Sequence, residues 1–257
     1  MRFFGQKRIL RELDYMVPAI LDGMNTTILL EAPSGHGKTT LAYYILSRLG
    51  WDNSEISGPP EFWVDNSRRF HFLDEIHRLN SPEGLYPMID AGDHTFLFAT
   101  NESGLLLEPL YNRCVYTFQF DPYTQSDLFA MTRNIFAQRG YPELPEPFLW
   151  FVVERCGGVP RTLRNLTYRL ALIFRTHMPE NIEELNDIST EILNIDENGL
   201  DADERKYLDF LRDMGPASLN LICSSTGLSK ETIQKRIEPN LARRRLIHID
   251  SKGRSLI

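Results

Sequence analysis

The sequence predicts an α/β fold: a parallel sheet carrying a phosphate-binding loop, then a small helical domain and a C-terminal winged helix. Three observations predict it. The stretch Leu29-Leu30-Glu31-Ala32-Pro33-Ser34-Gly35-His36-Gly37-Lys38-Thr39-Thr40-Leu41 reads as an apolar strand, a glycine-bearing loop and the start of a helix. Further apolar runs that end in polar residues recur as far as Phe120, with helical patterns between them. After Asp121-Pro122-Tyr123 the pattern is helical until a helix, helix, helix, ribbon order closes the chain.

In chain order, Ile9, Leu10, Leu13, Met16 and Val17 mark a first helix that stops near Asp22-Gly23. The β-branched and apolar run from Thr26 to Glu31 is a strand, and Leu41 to Leu49 is the helix after the loop. In a loop of this kind, backbone N–H groups around Gly35, His36 and Gly37 wrap a phosphate. Lys38 reaches the β/γ oxygens, and Thr39, followed by Thr40, supplies a hydroxyl for Mg²⁺. Ala32 stands where the pattern usually opens with glycine. A chance glycine-rich turn is the competing reading; the strand before and the helix after argue against it. ATP with Mg²⁺ is therefore the expected ligand.

A short strand is expected at Ser54 to Ser57, ending in the turn Gly58-Pro59-Pro60. Arg69 to Leu73 alternates and runs into Asp74-Glu75. Two acids at the carboxyl end of a strand are the natural partners of a phosphate loop, one for the Mg²⁺ shell and one to polarise the attacking water. They would also favour the start of a following helix, and the two readings are compatible. Thr95 to Ala99 is another strand, ending at Thr100-Asn101, either of which is placed to orient a water beside the γ-phosphate; turn chemistry alone also accounts for such residues. Val115 to Phe120 is the last strand of the sheet.

Helices are then expected at about Thr124 to Gln138, Phe148 to Cys156 and Pro160 to Phe174, the last opened by Gly157-Gly158-Val159-Pro160-Arg161. From Asp201 the helices Ala202 to Arg212, Ser218 to Thr226 and Lys230 to Glu238 precede a ribbon of Leu246 to Ile249 and Arg254 to Ile257. In a winged helix the third helix, here with Lys235 and Arg236, commonly enters a major groove while the wing lies along the backbone.

Charge is distributed to match. The formal net charge is −7, yet from Leu228 to Ile257 eight cations face three carboxylates, so that end is +5 and the rest −12. A basic end of this kind often contacts nucleic acid; a solvated helix face is the plainer alternative. The three cysteines, at 114, 156 and 223, suit neither a metal knuckle nor a full disulfide set, which points to a reducing compartment. With no apolar N-terminal stretch and no run of membrane-spanning length in 257 residues, a cytoplasmic protein is expected.

Several motifs recur in a fixed order: Phe4-Gly5-Gln6, the loop with Thr39-Thr40-Leu41-Ala42, Phe72-Leu73-Asp74-Glu75-Ile76-His77-Arg78-Leu79-Asn80, Tyr86-Pro87, Gly104-Leu105-Leu106, Gly158-Val159-Pro160-Arg161, Gly199-Leu200-Asp201, and Ile237-Glu238-Pro239 ahead of Gly253-Arg254. Together they resemble the RuvB family, AAA+ motors of bacterial Holliday-junction branch migration, along nearly the whole chain. The resemblance implies an AAA+ large domain at 1–121, a helical lid at 122–195 and a winged-helix DNA-binding domain at 196–257. It also implies an ATP-hydrolysing ring, a homo-oligomer of hexameric type, acting on duplex or junction DNA.

Roles follow residue by residue from the same resemblance. Arg113 matches the arginine finger given to a neighbouring subunit's ATP, Arg161 the second sensor on the lid, and Asn101 or Thr100 the first sensor. Lys252 and Arg254 match the basic wing, which meets phosphates rather than base edges.

The chain also departs from the family. Between Asp90 and Thr95 only Ala91-Gly92-Asp93-His94 stand where the family has a long β-hairpin that docks on RuvA, so the expected RuvA surface is missing. The segment from Gly58 to Arg69 is short, Glu102 stands where arginine is usual, and Tyr111-Asn112 precede Arg113 in place of Arg-Asp. An ATP-controlled loader or a DNA-binding regulator therefore stays open beside the motor.

Overall fold

The computed structural model describes residues 2–50 and 69–257. These form two compact units, Met1–Asp127 and Leu128–Ile257. The strand expected at Ser54 to Ser57 and most of the segment from Gly58 to Arg69 lie outside the described residues.

The first unit holds a four-stranded parallel sheet: β1 (Thr27–Glu31), β2 (Phe70–Leu73), β3 (Thr95–Thr100) and β4 (Tyr116–Gln119), in the order β2-β3-β1-β4. Strands β1, β2 and β3 are buried at every position but Glu31 because both faces are covered, whereas β4, at the edge, buries only Phe118 fully. The period-two alternation of side chains splits them between two cores. Ile28, Leu30, Phe70, Phe72, Leu97, Ala99 and Phe118 pack on one side with α1 (Lys7–Leu21) and α2 (Lys38–Leu49). Leu29, Leu73, Phe96 and Phe98 pack on the other with Leu85 and Leu110. Helix α1 buries Ile9, Leu13, Met16 and Val17 of the expected stripe and adds Ile20, while Leu10 is half-buried. Every strand's carboxyl end points to one edge of the parallel sheet, where Ala32, Asp74, Asn101 and Phe120 begin their loops.

Helix α3 (Tyr86–Ala91) closes on Gly92 in the left-handed conformation, and β3 begins at Thr95, so no strand intervenes where the family hairpin would stand. A short helix α4 (Glu108–Tyr111) leads to β4.

In the second unit, α5 (Gln125–Gln138, whose first turn belongs to the first unit), α6 (Glu146–Arg155) and α7 (Pro160–Ile173) occupy the expected positions. Phe174 joins them, stacked on Phe136 with ring centroids 5.8 Å apart and tilted against Phe148. A further helix, α8 (Ile182–Glu191), had no counterpart in the expected order; Asn181 caps it by accepting from Glu184 N–H.

The winged helix follows. Helix α9 (Ala202–Met214) opens with a capping box between Asp201 and Glu204, and α10 (Leu219–Thr226) starts at Ser218. The third helix does not stop at Glu238. It runs as α11 (Lys230–Thr232), a π-helical turn over Ile233–Ile237, and α12 (Glu238–Arg243). Pro239 has no N–H to donate to the preceding turn, and the wide turn accommodates it, so the helix continues past a residue expected to end it. Strands β5 (Ile247–Asp250) and β6 (Gly253–Leu256) pair antiparallel as the wing. Gly253 has φ +139°, and a Cβ there would lie 2.5 Å from the Ala217 carbonyl oxygen, where β6 bridges back to the helices.

Candidate functional site

The loop after β1 is held in shape by backbone geometry that only glycine adopts without strain: φ is +81° at Gly35 and +96° at Gly37. Gly37 is the N-cap of α2, so the unsatisfied N–H groups of the first helical turn face the loop mouth, a ready anion site. Lys38 is buried and donates from Nζ to the Ala32 carbonyl at 2.8 Å, folded across its own loop. The His36 ring Nδ1 lies 3.1 Å from the Ser34 carbonyl oxygen.

A brace under this loop escaped the sequence reading. Tyr123 donates its hydroxyl to the His36 carbonyl at 2.8 Å. Burial pushes its pKa up to about 12, with Asp127 adding to the rise and a hydrogen bond with Gln6 opposing it, so the hydroxyl stays a donor. Gly5 must be small here, since a Cβ would meet the Tyr123 ring at 2.8 Å. Gln6 exchanges two hydrogen bonds with the Asp121 backbone, at 2.8 and 2.9 Å. The signal available in the sequence was the aromatic directly after Asp121-Pro122 at a strand end.

The two acids diverge in role. Thr39 donates its hydroxyl to Asp74 Oδ2 at 2.8 Å, joining the end of the phosphate loop to the end of β2. Asp74 Oδ1 accepts the Glu75 N–H at 3.0 Å. A hydroxyl and a carboxylate are hard oxygen donors of the kind Mg²⁺ takes, and their convergence on the loop fits that ion. Glu75 itself sits at φ +52°, a left-handed conformation that costs a non-glycine residue about 1–3 kcal/mol and clusters at functional sites. Its Oε2 is buried and makes no hydrogen bond among the described residues; His77 Nε2 lies 3.6 Å away.

His77 links the acids to β3. Its Nδ1 is 2.9 Å from Thr100 Oγ1, which also accepts the Glu102 N–H at 3.0 Å. Glu102 Oε1 lies 3.8 Å from His77 Nε2. The Thr100 hydroxyl is thus committed to bracing, while Asn101 is exposed at the carboxyl end of β3.

Arg113 is placed otherwise within one chain. Its guanidinium grips Asp90 through two bonds of 2.9 and 3.0 Å, donates to the Pro109 carbonyl at 2.9 Å and lies 4.3 Å from the Tyr86 ring centre. The hydrogen bond from Arg113 holds the Asp90 carboxyl below its ordinary range. Arg161 is exposed on the first turn of α7, in the second unit.

The candidate DNA contacts separate by burial. Lys235 pairs with Glu231 at 2.8 Å, both largely exposed. Arg236 is held by Asp201 and Asp203. Lys252 is exposed at the ribbon turn. Arg254 is placed apart from the other three: it donates to Glu238 Oε1 at 2.7 Å, with side-chain exposures of 15% and 7%, and Tyr207 donates to the same oxygen at 3.1 Å. Burial raises the Tyr207 pKa, and the Glu238 bond raises that of Arg254. An arginine so enclosed holds the wing to α12 rather than facing solvent.

Residues 197–257 match the model of the RuvB C-terminal winged helix domain. The Holliday junction branch migration complex subunit RuvB of Fervidobacterium nodosum is 30% identical over 290 residues, covering 98% of this chain and 83% of that protein. Its counterpart in Thermotoga maritima is 28% identical, covering 98% and 86%. The solved structure of the Thermotoga maritima RuvB Holliday junction branch migration motor superposes with a TM-score of 0.81 over 99% of this chain and 93% of its own, at 28% identity. Likeness of this extent means that the chain belongs to the RuvB family.

Proposed function

We propose that this chain is an ATP-hydrolysing DNA motor of RuvB type that drives branch migration of Holliday junctions in recombination and repair. The observation that carries the reading is the junction of Thr39 with Asp74, beside a strained Glu75, in a chain similar to RuvB along its length. Residues 35–40 hold the triphosphate through backbone N–H groups, with Lys38 turning from the Ala32 carbonyl to the β/γ oxygens. Thr39 and Asp74 hold Mg²⁺, which screens phosphate charge when bound. Glu75 takes the proton of the attacking water through Oε2, which makes no hydrogen bond among the described residues and lies 3.6 Å from His77 Nε2, and Asn101 orients that water from the end of β3.

Arg113 acts on the ATP of a neighbouring copy in a ring of hexameric type, leaving Asp90 to do so, and Arg161 reads the γ-phosphate from the lid. The domains are 1–121, 122–195 and 196–257. On the winged helix, Lys252 and Lys235 contact duplex phosphates without sequence preference; Arg236 does so after releasing its carboxylates, and Arg254 is withdrawn from the set. The four residues between Asp90 and Thr95 leave no hairpin for RuvA docking, so RuvA coupling is outside this reading.

The test is ATP turnover with junction, duplex and single-stranded DNA, together with strand movement on a four-way junction. The reading expects DNA-stimulated hydrolysis and processive movement. Stimulated hydrolysis with no strand movement overturns the motor in favour of a loader or regulator. The intersubunit finger has its own check: an Arg113→Ala chain mixed with a Glu75→Gln chain should regain part of the lost turnover, and no recovery at any ratio counts against it.

A further inference from the structure

Arg244 follows α12 directly and reaches out of the winged helix to the end of α6. Its guanidinium donates to three backbone carbonyls: Arg155 at 3.0 Å, Gly199 at 3.3 Å, and Asn198. None of the three acceptors is a side chain, so the contact fixes the course of the backbone. The site is shaped for it. Gly157 has φ +60°, and a Cβ there would stand 2.9 Å from both Nε and Nη2 of Arg244. Gly199 has φ +73°, and its Cβ would fall 2.6 Å from the Arg155 Cα and carbonyl oxygen. The end of α6, the linker before α9 and the end of α12 therefore meet backbone to backbone around one cation.

What Arg244 grips is the turn that launches α7. From Arg155, held by Arg244, the chain passes Cys156, Gly157 and Gly158; Val159 donates back to the Cys156 carbonyl at 3.2 Å; and Pro160 and Arg161 open the helix. Arg155 is itself anchored, its Nη2 donating to Asn186 Oδ1 on α8 at 2.8 Å and its guanidinium packed 3.8 Å from the Phe151 ring centre. The winged helix thus holds the near end of a short, tight turn, and Arg161 stands at the far end.

We propose that Arg244 is a positioning residue that couples the winged helix to the start of α7, so that duplex DNA on the winged helix changes the setting of Arg161 and with it ATP turnover. The inference rests on the reading above, of ATP at the phosphate loop and DNA on the winged helix. Arg243 and Arg245, adjacent in sequence and exposed, place the gripping residue between two positions open to phosphate. Coupling needs an element that both ligands bias, and the Arg155–Arg161 turn is contacted from one side and carries the proposed sensor on the other.

The test uses the full-length chain with Arg244→Lys, which keeps the charge but lacks the planar fork that spans three carbonyls, and with Arg244→Ala. Basal turnover and duplex affinity should stay within about twofold, while the stimulation of turnover by duplex falls about 5-fold or more, the usual scale of coupling between sites. Amide exchange over residues 156–163 should slow when wild type binds duplex and fail to respond in Arg244→Lys. Equal stimulation and equal exchange response in wild type and Arg244→Lys overturn the inference and leave the functional reading intact. A wild-type chain that does not bind duplex overturns both. If Arg244→Ala fails to fold, Arg244→Lys alone decides the question.

Discussion

The phosphate loop and the basic wing were both marked by charged residues, and the structure treats them in opposite ways. At the loop, polar groups from separate strands converge: Lys38, Thr39 and Asp74 touch one another or their own loop, and Glu75 is strained into place with a buried carboxylate oxygen that makes no hydrogen bond among the described residues. On the winged helix three of the candidate cations are held by carboxylates of their own domain, from the exposed Lys235–Glu231 pair through Arg236 with Asp201 and Asp203 to the enclosed Arg254–Glu238 pair. A motif tied to backbone geometry locates chemistry, whereas a charge count does not say which charges are available. Exposed pairs are worth about 0–1 kcal/mol and yield readily to a phosphate; a pair held out of water does not.

This contrast can be broken or sharpened by substitution. The largest effect is expected at Arg254→Ala, which leaves Glu238 enclosed without its cation and should cost about 3–5 kcal/mol of winged-helix stability in denaturant unfolding. A variant as stable as wild type would return Arg254 to the solvent-facing set. At the loop, Lys38→Ala should weaken ATP binding about 10- to 100-fold, because a hydrogen bond to a charged group is worth about 1.5–3 kcal/mol; unchanged affinity by calorimetry would remove the loop assignment.

Lys252→Ala should leave unfolding untouched and reduce the salt slope of duplex binding by about 0.9, the share of one phosphate contact. An unchanged slope would place the wing away from the DNA. The smallest effect belongs to Tyr123→Phe, which loses one hydrogen bond to the His36 carbonyl and should destabilise the first unit by about 0.5–1.5 kcal/mol with nucleotide affinity lowered alongside. Affinity that stays level while stability falls would make Tyr123 a packing residue only.

Much of the first unit was legible in the sequence, because alternating burial and glycine-dependent turns leave local marks. β3 was expected at Thr95 to Ala99 and runs Thr95–Thr100; β1, expected from Thr26, runs Thr27–Glu31. What stayed hidden depends on partners distant in sequence. Arg254 read as a wing cation since nothing local ties it to Glu238, and Arg113 gave no sign of Asp90, 23 residues before it. Helix α8 was masked by a polar run in which Leu185 and Ile188 supply most of the buried face. The third helix of the winged helix continues past Pro239, a residue type that normally stops a helix, and its π-helical turn leaves no mark in propensity. His77 sat within a recognised motif, yet its bond to Thr100 required the adjacent strand.

The central claim is that Glu75 performs the proton transfer of ATP hydrolysis, and paired measurements of nucleotide affinity and turnover on Glu75→Gln test it most directly. The amide keeps the size and the left-handed backbone of the residue but cannot accept the proton. Affinity is predicted to stay within about twofold while turnover falls about 10²- to 10⁴-fold, the contribution typical of a positioned general base. Turnover that survives the substitution would contradict the account.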